Sequence, residues 1–129
     1  MKRLATYIAA SCLLTLVAPN VAHAEWVEVY RDSSTAMDVQ ENLVESKGNG
    51  IVAYISRSRL RAKGIDGAKT YLIEGLIDCE NQAYLFSRGA GFNQSGEAIF
   101  GGNLDRQWRL IPTGSRQSAI ASHVCQISQ

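Results

Sequence analysis

The chain has 129 residues, 46% of them hydrophobic, and 13 Lys and Arg stand against 12 Asp and Glu for a formal charge of +1. A chain this small holds one domain with one modest core. Its near-neutral balance excludes a general nucleic-acid or polyanion binder, which carries a broad positive field, so any anion site has to be local.

Residues 1–24, MKRLATYIAASCLLTLVAPNVAHA, read as a secretory signal peptide. Lys2 and Arg3 open it, an apolar run extends from Leu13 to Ala18, and Ala22-His23-Ala24 supplies an A-x-A cleavage site. The run is short for a bilayer crossing and is broken by Pro19 and Asn20, so no membrane span is expected. Cys12 raises the alternative of a lipid anchor, but the preceding AAS lacks the branched apolar residue of such a signal. Cleavage after Ala24 leaves a single domain, residues 25–129. Without Lys2 and Arg3 that domain has eleven cationic residues against twelve acidic ones.

In chain order, WVEVY (26–30) alternates Trp26, Glu28 and Tyr30 with Val27 and Val29, the pattern of a half-buried strand. STAMDVQ is a second short extended piece, and ESKGNG is a turn-rich break. IVAYISRSRLR, β-branched and aromatic at its start, predicts a long strand. KGIDG then reads as a hairpin connection in which Asp66-Gly67 supplies positive φ. AKTYLIEGLIDC, AYLFSRGAGF and AIFGGN follow as strands, separated by the turns ENQ and NQSGE. Beyond Pro112 and Gly114, Ser115 can cap a helix with Ile120, Ala121, Val124 and Cys125 on one face. The predicted fold is α+β: a single antiparallel meander sheet of about six strands with one C-terminal helix packed on one face.

Cys79 and Cys125 remain after the signal leaves, and an even pair in an exported chain predicts a disulfide. Closing a loop of about 47 residues stabilises by about 4 kcal/mol in the chain-entropy treatment. The most distinctive charged feature is ISRSRLRAKG (55–64), with Arg57, Arg59, Arg61 and Lys63 at every second position. If the strand continues that far, the four side chains share a face at a spacing of roughly 7 Å. Such a ladder suits sulfate or phosphate groups along an extended polyanion. Its plainer reading is a charged strand end that discourages edge pairing.

Other chemistry is sparse. The mature chain's one histidine, His123, falls near the helix C-terminus, where the helix dipole favours positive charge, rather than beside a nucleophile. Asp78 and Glu80 flank Cys79 without further metal ligands, and the glycines of RGAGFNQSGEAIFGG precede no helix, so they read as sheet turns or bulges. No catalytic residue, metal or cofactor is assigned. A sheet covered on one side by one short helix leaves its other face open, and a homodimer through that face is expected.

YRDSSTAMDV near the start, LIDCENQAY at the centre and WRLIPTGSRQSAIASHVC at the end give the mature chain its resemblance to the bacterial surface-adhesin protein E family. The shared pattern spans most of residues 26 to 125: a tryptophan-led first strand, a strand ending in aspartate and cysteine, and proline and serine before a short helix closing on a second cysteine. The resemblance implies an antiparallel sheet, a C-terminal helix, a disulfide and export. It further implies a non-enzymatic binding protein that contacts host matrix protein or a heparin-like polyanion. The alternative is a periplasmic structural or accessory subunit of an envelope complex. A periplasmic location is expected, with the outer surface or the medium as the other destinations.

Overall fold

The computed structural model describes residues 25–128; the predicted signal peptide, including Cys12, lies outside the described residues. Eight strands form one open antiparallel sheet: β1 (Trp26–Arg31), β2 (Thr35–Gln40), β3 (Glu45–Gly48), β4 (Ile51–Leu60), β5 (Thr70–Asp78), β6 (Ala83–Phe92), β7 (Ala98–Asn103) and β8 (Arg109–Leu110). The helix α1 (Arg116–Ile127) follows. The sheet order is β1-β2-β4-β5-β6-β7, with β3 beside β4 and β8 beside β6. The expected six-strand path is therefore present, with two short strands added. One of them corrects the sequence reading: Glu45–Gly48 is not part of the turn but pairs with β4.

Strand periodicity determines which face each side chain reaches. On one face Met37, Val39, Val52, Tyr54 and Ile77 form the core with Ile120, Ala121 and Val124 of α1. Burying each large aliphatic side chain there contributes about 2 kcal/mol. The Ser115 hydroxyl starts the helix by accepting from the Ser118 N–H at 3.1 Å. The C-terminal half of α1 is tied to the end of β5 by the Cys79–Cys125 disulfide, with Cα atoms 5.9 Å apart.

Tyr54 runs under the helix, and its hydroxyl accepts from Gln117 Nε2 at 2.9 Å. Gly75 makes room for it. A Cβ at that position would come within 2.8 Å of the Tyr54 hydroxyl and of the Leu85 carbonyl oxygen.

Among the described residues no helix covers the opposite face. It carries Ala53, Ile55, Arg57 and Arg59 of β4, whose neighbours in register include Asp38, Leu72 and Glu74. A shift between Glu28 and Tyr30 corrects the simple alternation predicted for β1. Glu28 pairs with Asp38 and Tyr30 with Met37, so Tyr30 turns to the helix side and Arg31 joins Glu28 on the open face. An extra residue in a strand reverses the alternation beyond it, and nothing in WVEVY announces the change.

Candidate functional site

β4 ends at Leu60, where the chain bends. The Leu60 N–H donates to the Lys69 carbonyl at 2.8 Å and the Arg61 N–H to the Ser34 carbonyl at 2.9 Å. The predicted four-charge ladder is therefore divided. Arg57 and Arg59 lie on the strand, whereas Arg61 and Lys63 belong to the β4–β5 connection.

Arg57 and Arg59 converge on one carboxylate. Asp38, on β2, is buried with 2% exposure. It receives Arg57 Nε at 2.8 Å, Arg59 Nε at 2.7 Å on the same oxygen, and Arg59 Nη2 at 2.8 Å on the other. Burial alone would raise its carboxyl pKa, but the hydrogen bonds and charges of Arg59 and Arg57 outweigh that effect and hold it below the ordinary value. Arg59 also reaches Glu28 at 3.1 Å, and Arg31 donates two hydrogen bonds to Glu28, at 3.0 and 2.6 Å. Those bonds, Arg31 first, lower the Glu28 pKa. The Arg57 guanidinium stacks over Trp26, 4.4 Å from the ring centroid. These two cations are thus already satisfied within the sheet.

Arg61 and Lys63 differ: among the described residues neither side chain has an ion-pair partner. Arg61 stands between two shallow clefts beside the Ser33-Ser34 turn. One, about 180 Å³, is also lined by Arg31, Asp32 and Arg59; the other, about 390 Å³, by Ser33, Ser34 and Arg116. Among the described residues Asp32 is the one carboxylate lining either cleft, and five donors occupy it. Oδ1 accepts from the Ser34 and Thr35 N–H groups and the Ser34 hydroxyl, and Oδ2 from the Tyr30 hydroxyl and Arg116. The Ser34 N–H, the Tyr30 hydroxyl and the Thr35 N–H, in that order, press its pKa far below the carboxylate range. Four arginines, one of them unpaired, therefore surround a carboxylate that has little capacity left. The arrangement can hold a sulfate or phosphate group by charge and guanidinium hydrogen bonds.

The remaining candidates have structural tasks. His123 Nε2 lies 2.8 Å from Glu41 Oε2, joining α1 to the 3₁₀ turn Glu41–Leu43. The Asp78 carboxylate accepts from the backbone of Glu80 and Asn81 and from the Asn81 amide, closing the β5–β6 turn. The glycine run lies in β6, β7 and the turn between them. Trp108 is exposed, whereas Tyr54 is core.

Sequence reasoning missed Asp38, Glu28, Trp26, Asp32 and Arg116. Alternation in STAMDVQ does separate Asp38 from Met37 and Val39, but only the β2–β4 register shows which cations it meets. No family model matches the chain, and no curated protein matches it.

Proposed function

We propose that the chain is an exported, non-enzymatic binding protein, similar to the surface-adhesin protein E family, that contacts an anionic partner through the Arg61 end of its sheet. The observation that carries this reading is Arg61, which has no ion-pair partner among the described residues and is set between two clefts among Arg31, Arg59 and Arg116. The disulfide supports export, because such bonds persist outside the reducing cytoplasm.

The partner's chemistry is a sulfate or phosphate carried on a larger molecule, since the clefts are shallow and open and enclose no small ligand. Residues Arg61 and Lys63 provide the primary contact. Arg57 and Arg59 already neutralise Asp38, so they contribute less than Arg61 and Lys63, and Arg59 only lines the cleft beside them.

Retention of the mature protein on immobilised heparin, compared with an Arg61→Gln/Lys63→Gln variant, tests the reading. The variant is expected to elute at clearly lower salt. Identical elution would refute an anion contact at these residues.

A second reading draws on the open face, where Ile55, Leu72, Ala90 and Gly101 line a concavity of about 420 Å³ beside the Glu74–Arg88 pair. A partner seated there, whether an envelope subunit or a second copy of the chain, would fit the accessory role. Recovery of a stable complex that dissociates on Leu72→Glu substitution would favour it.

A further inference from the structure

The connection between β4 and β5 presents more than cations. Ile65, at its tip, is fully exposed, and Ile99, at the start of β7, is exposed as well. Ile99 packs beside Gly67, two residues after Ile65 in the same turn: a Cβ on Gly67 would lie 3.8 Å from the Ile99 Cδ1. Single exposed apolar residues are common and mean little alone. Here the setting differs, because Arg61 and Lys63 precede Ile65 on the same connection and have no ion-pair partner among the described residues.

The tip is also held in place. The Gly64 N–H donates to the Ala68 carbonyl at 2.8 Å and the Gly67 N–H to the Gly64 carbonyl at 2.9 Å. Gly67 adopts φ +87°, which a side-chain-bearing residue would find strained. Asp66, the only acidic residue in the connection, gives its carboxylate to the Ala68 N–H and the Tyr71 hydroxyl. Lys69 is spent on the Leu60 and Arg61 carbonyls. What remains outward is an ordered apolar tip behind two free cations.

We propose that this connection docks on an anionic bilayer surface, with Ile65 and Ile99 entering the headgroup boundary while Arg61 and Lys63 meet lipid phosphates. The inference rests on the anion-contact reading above and names the partner. A sulfated or phosphorylated chain in water offers nothing apolar to receive the two isoleucines, whereas a bilayer interface offers apolar and anionic groups at adjacent depths. Because the tip is already ordered, docking loses little conformational entropy.

The test is co-sedimentation of the mature protein with vesicles of equimolar phosphatidylglycerol and phosphatidylcholine, or of phosphatidylcholine alone, at low ionic strength. Binding is expected to the anionic vesicles only. Ile65→Ser should weaken it about tenfold and each of Arg61→Gln and Lys63→Gln about fivefold. Ile65→Ser should leave heparin retention unchanged, because it removes no charge. Absence of binding to anionic vesicles, equal binding to both compositions, or an Ile65→Ser variant that binds like the native chain would overturn the proposal. If heparin retention persists in such a case, only the lipid inference falls; if the Arg61→Gln/Lys63→Gln variant elutes from heparin like the native chain, the anion contact beneath it falls too.

Discussion

Arg59 grips Asp38 with two prongs, Nε to one carboxylate oxygen at 2.7 Å and Nη2 to the other at 2.8 Å. Arg57 adds a third hydrogen bond from the neighbouring position on the same face. Asp38 is buried, so the two arginines exist in this fold first as its counter-charges. Replacing both by glutamine leaves a buried carboxylate without a cation, at a cost of about 3 kcal/mol. Arg59→Gln alone, with Arg57 still in place, should cost about 1.5 kcal/mol. Urea unfolding measures both, and a double variant as stable as the native chain would contradict the assignment.

The same contact sets an acid limit. A carboxyl whose folded pKa is depressed adds stability above its unfolded value, near 3.9, and that stability is lost as pH falls through the folded pKa. The Asp38 and Glu28 carboxyls are both depressed. The urea midpoint should therefore hold level from neutral pH to about 4 and fall below it. In the double variant burial, the largest influence on Asp38, is no longer outweighed by Arg59 and Arg57; it raises the carboxyl pKa and reverses the sign of its contribution. The gap between native and variant should narrow as pH drops, and a gap independent of pH would count against the pairing.

At the alkaline end Tyr54 decides. Burial pushes its hydroxyl up to about 12, against a smaller opposing effect of the Gln117 hydrogen bond. A raised folded pKa gives stability that is complete below the unfolded value near 10 and lost as pH rises towards 12. That loss amounts to about 2–3 kcal/mol at its full extent. Tyr54→Phe should cost about 1 kcal/mol at neutral pH through the lost hydrogen bond and remove most of the alkaline decline. Denaturant midpoints between pH 8 and 11.5 would show it, and parallel curves for the two chains would rule it out.

The disulfide joins residues 46 apart and holds α1 on the sheet. Cys79→Ala/Cys125→Ala should lower unfolding stability by up to about 4 kcal/mol, the chain-entropy figure for such a loop. Thermal unfolding followed by far-ultraviolet circular dichroism reads the change, and a variant with an unaltered midpoint would mean that helix packing alone secures α1.

The strand sequence and the helix were legible because β-branched runs, turn residues and the Ser115 cap each act locally. The disulfide was legible from the cysteine count and the expectation of export. Three features of the site were hidden. IVAYISRSRLRAK continues its alternation past Leu60, so no residue marks the point where the Lys69 carbonyl and the Ser34 turn redirect the chain. The shift between Glu28 and Tyr30, which brings Arg31 beside Glu28, arises from pairing with β2 and not from β1 itself. Asp38 and its arginines are 19 and 21 residues apart, a relation that exists only in the sheet register. Alternation thus drew attention to four cations on one stretch, while the partners that divide them were non-local.

The most direct measurement is the salt dependence of binding to a labelled heparin oligosaccharide by fluorescence anisotropy at pH 7, for the native chain, Arg61→Gln/Lys63→Gln and Arg57→Gln/Arg59→Gln. Removing one cation that meets a sulfate or phosphate reduces the slope of log affinity against log salt by somewhat less than one. The expected result is a slope reduced by between one and two in the Arg61→Gln/Lys63→Gln chain and unchanged in a folded Arg57→Gln/Arg59→Gln chain. Equal slopes for native and Arg61→Gln/Lys63→Gln, or a reduction confined to Arg57→Gln/Arg59→Gln, would contradict the placement of the anion contact at the end of β4.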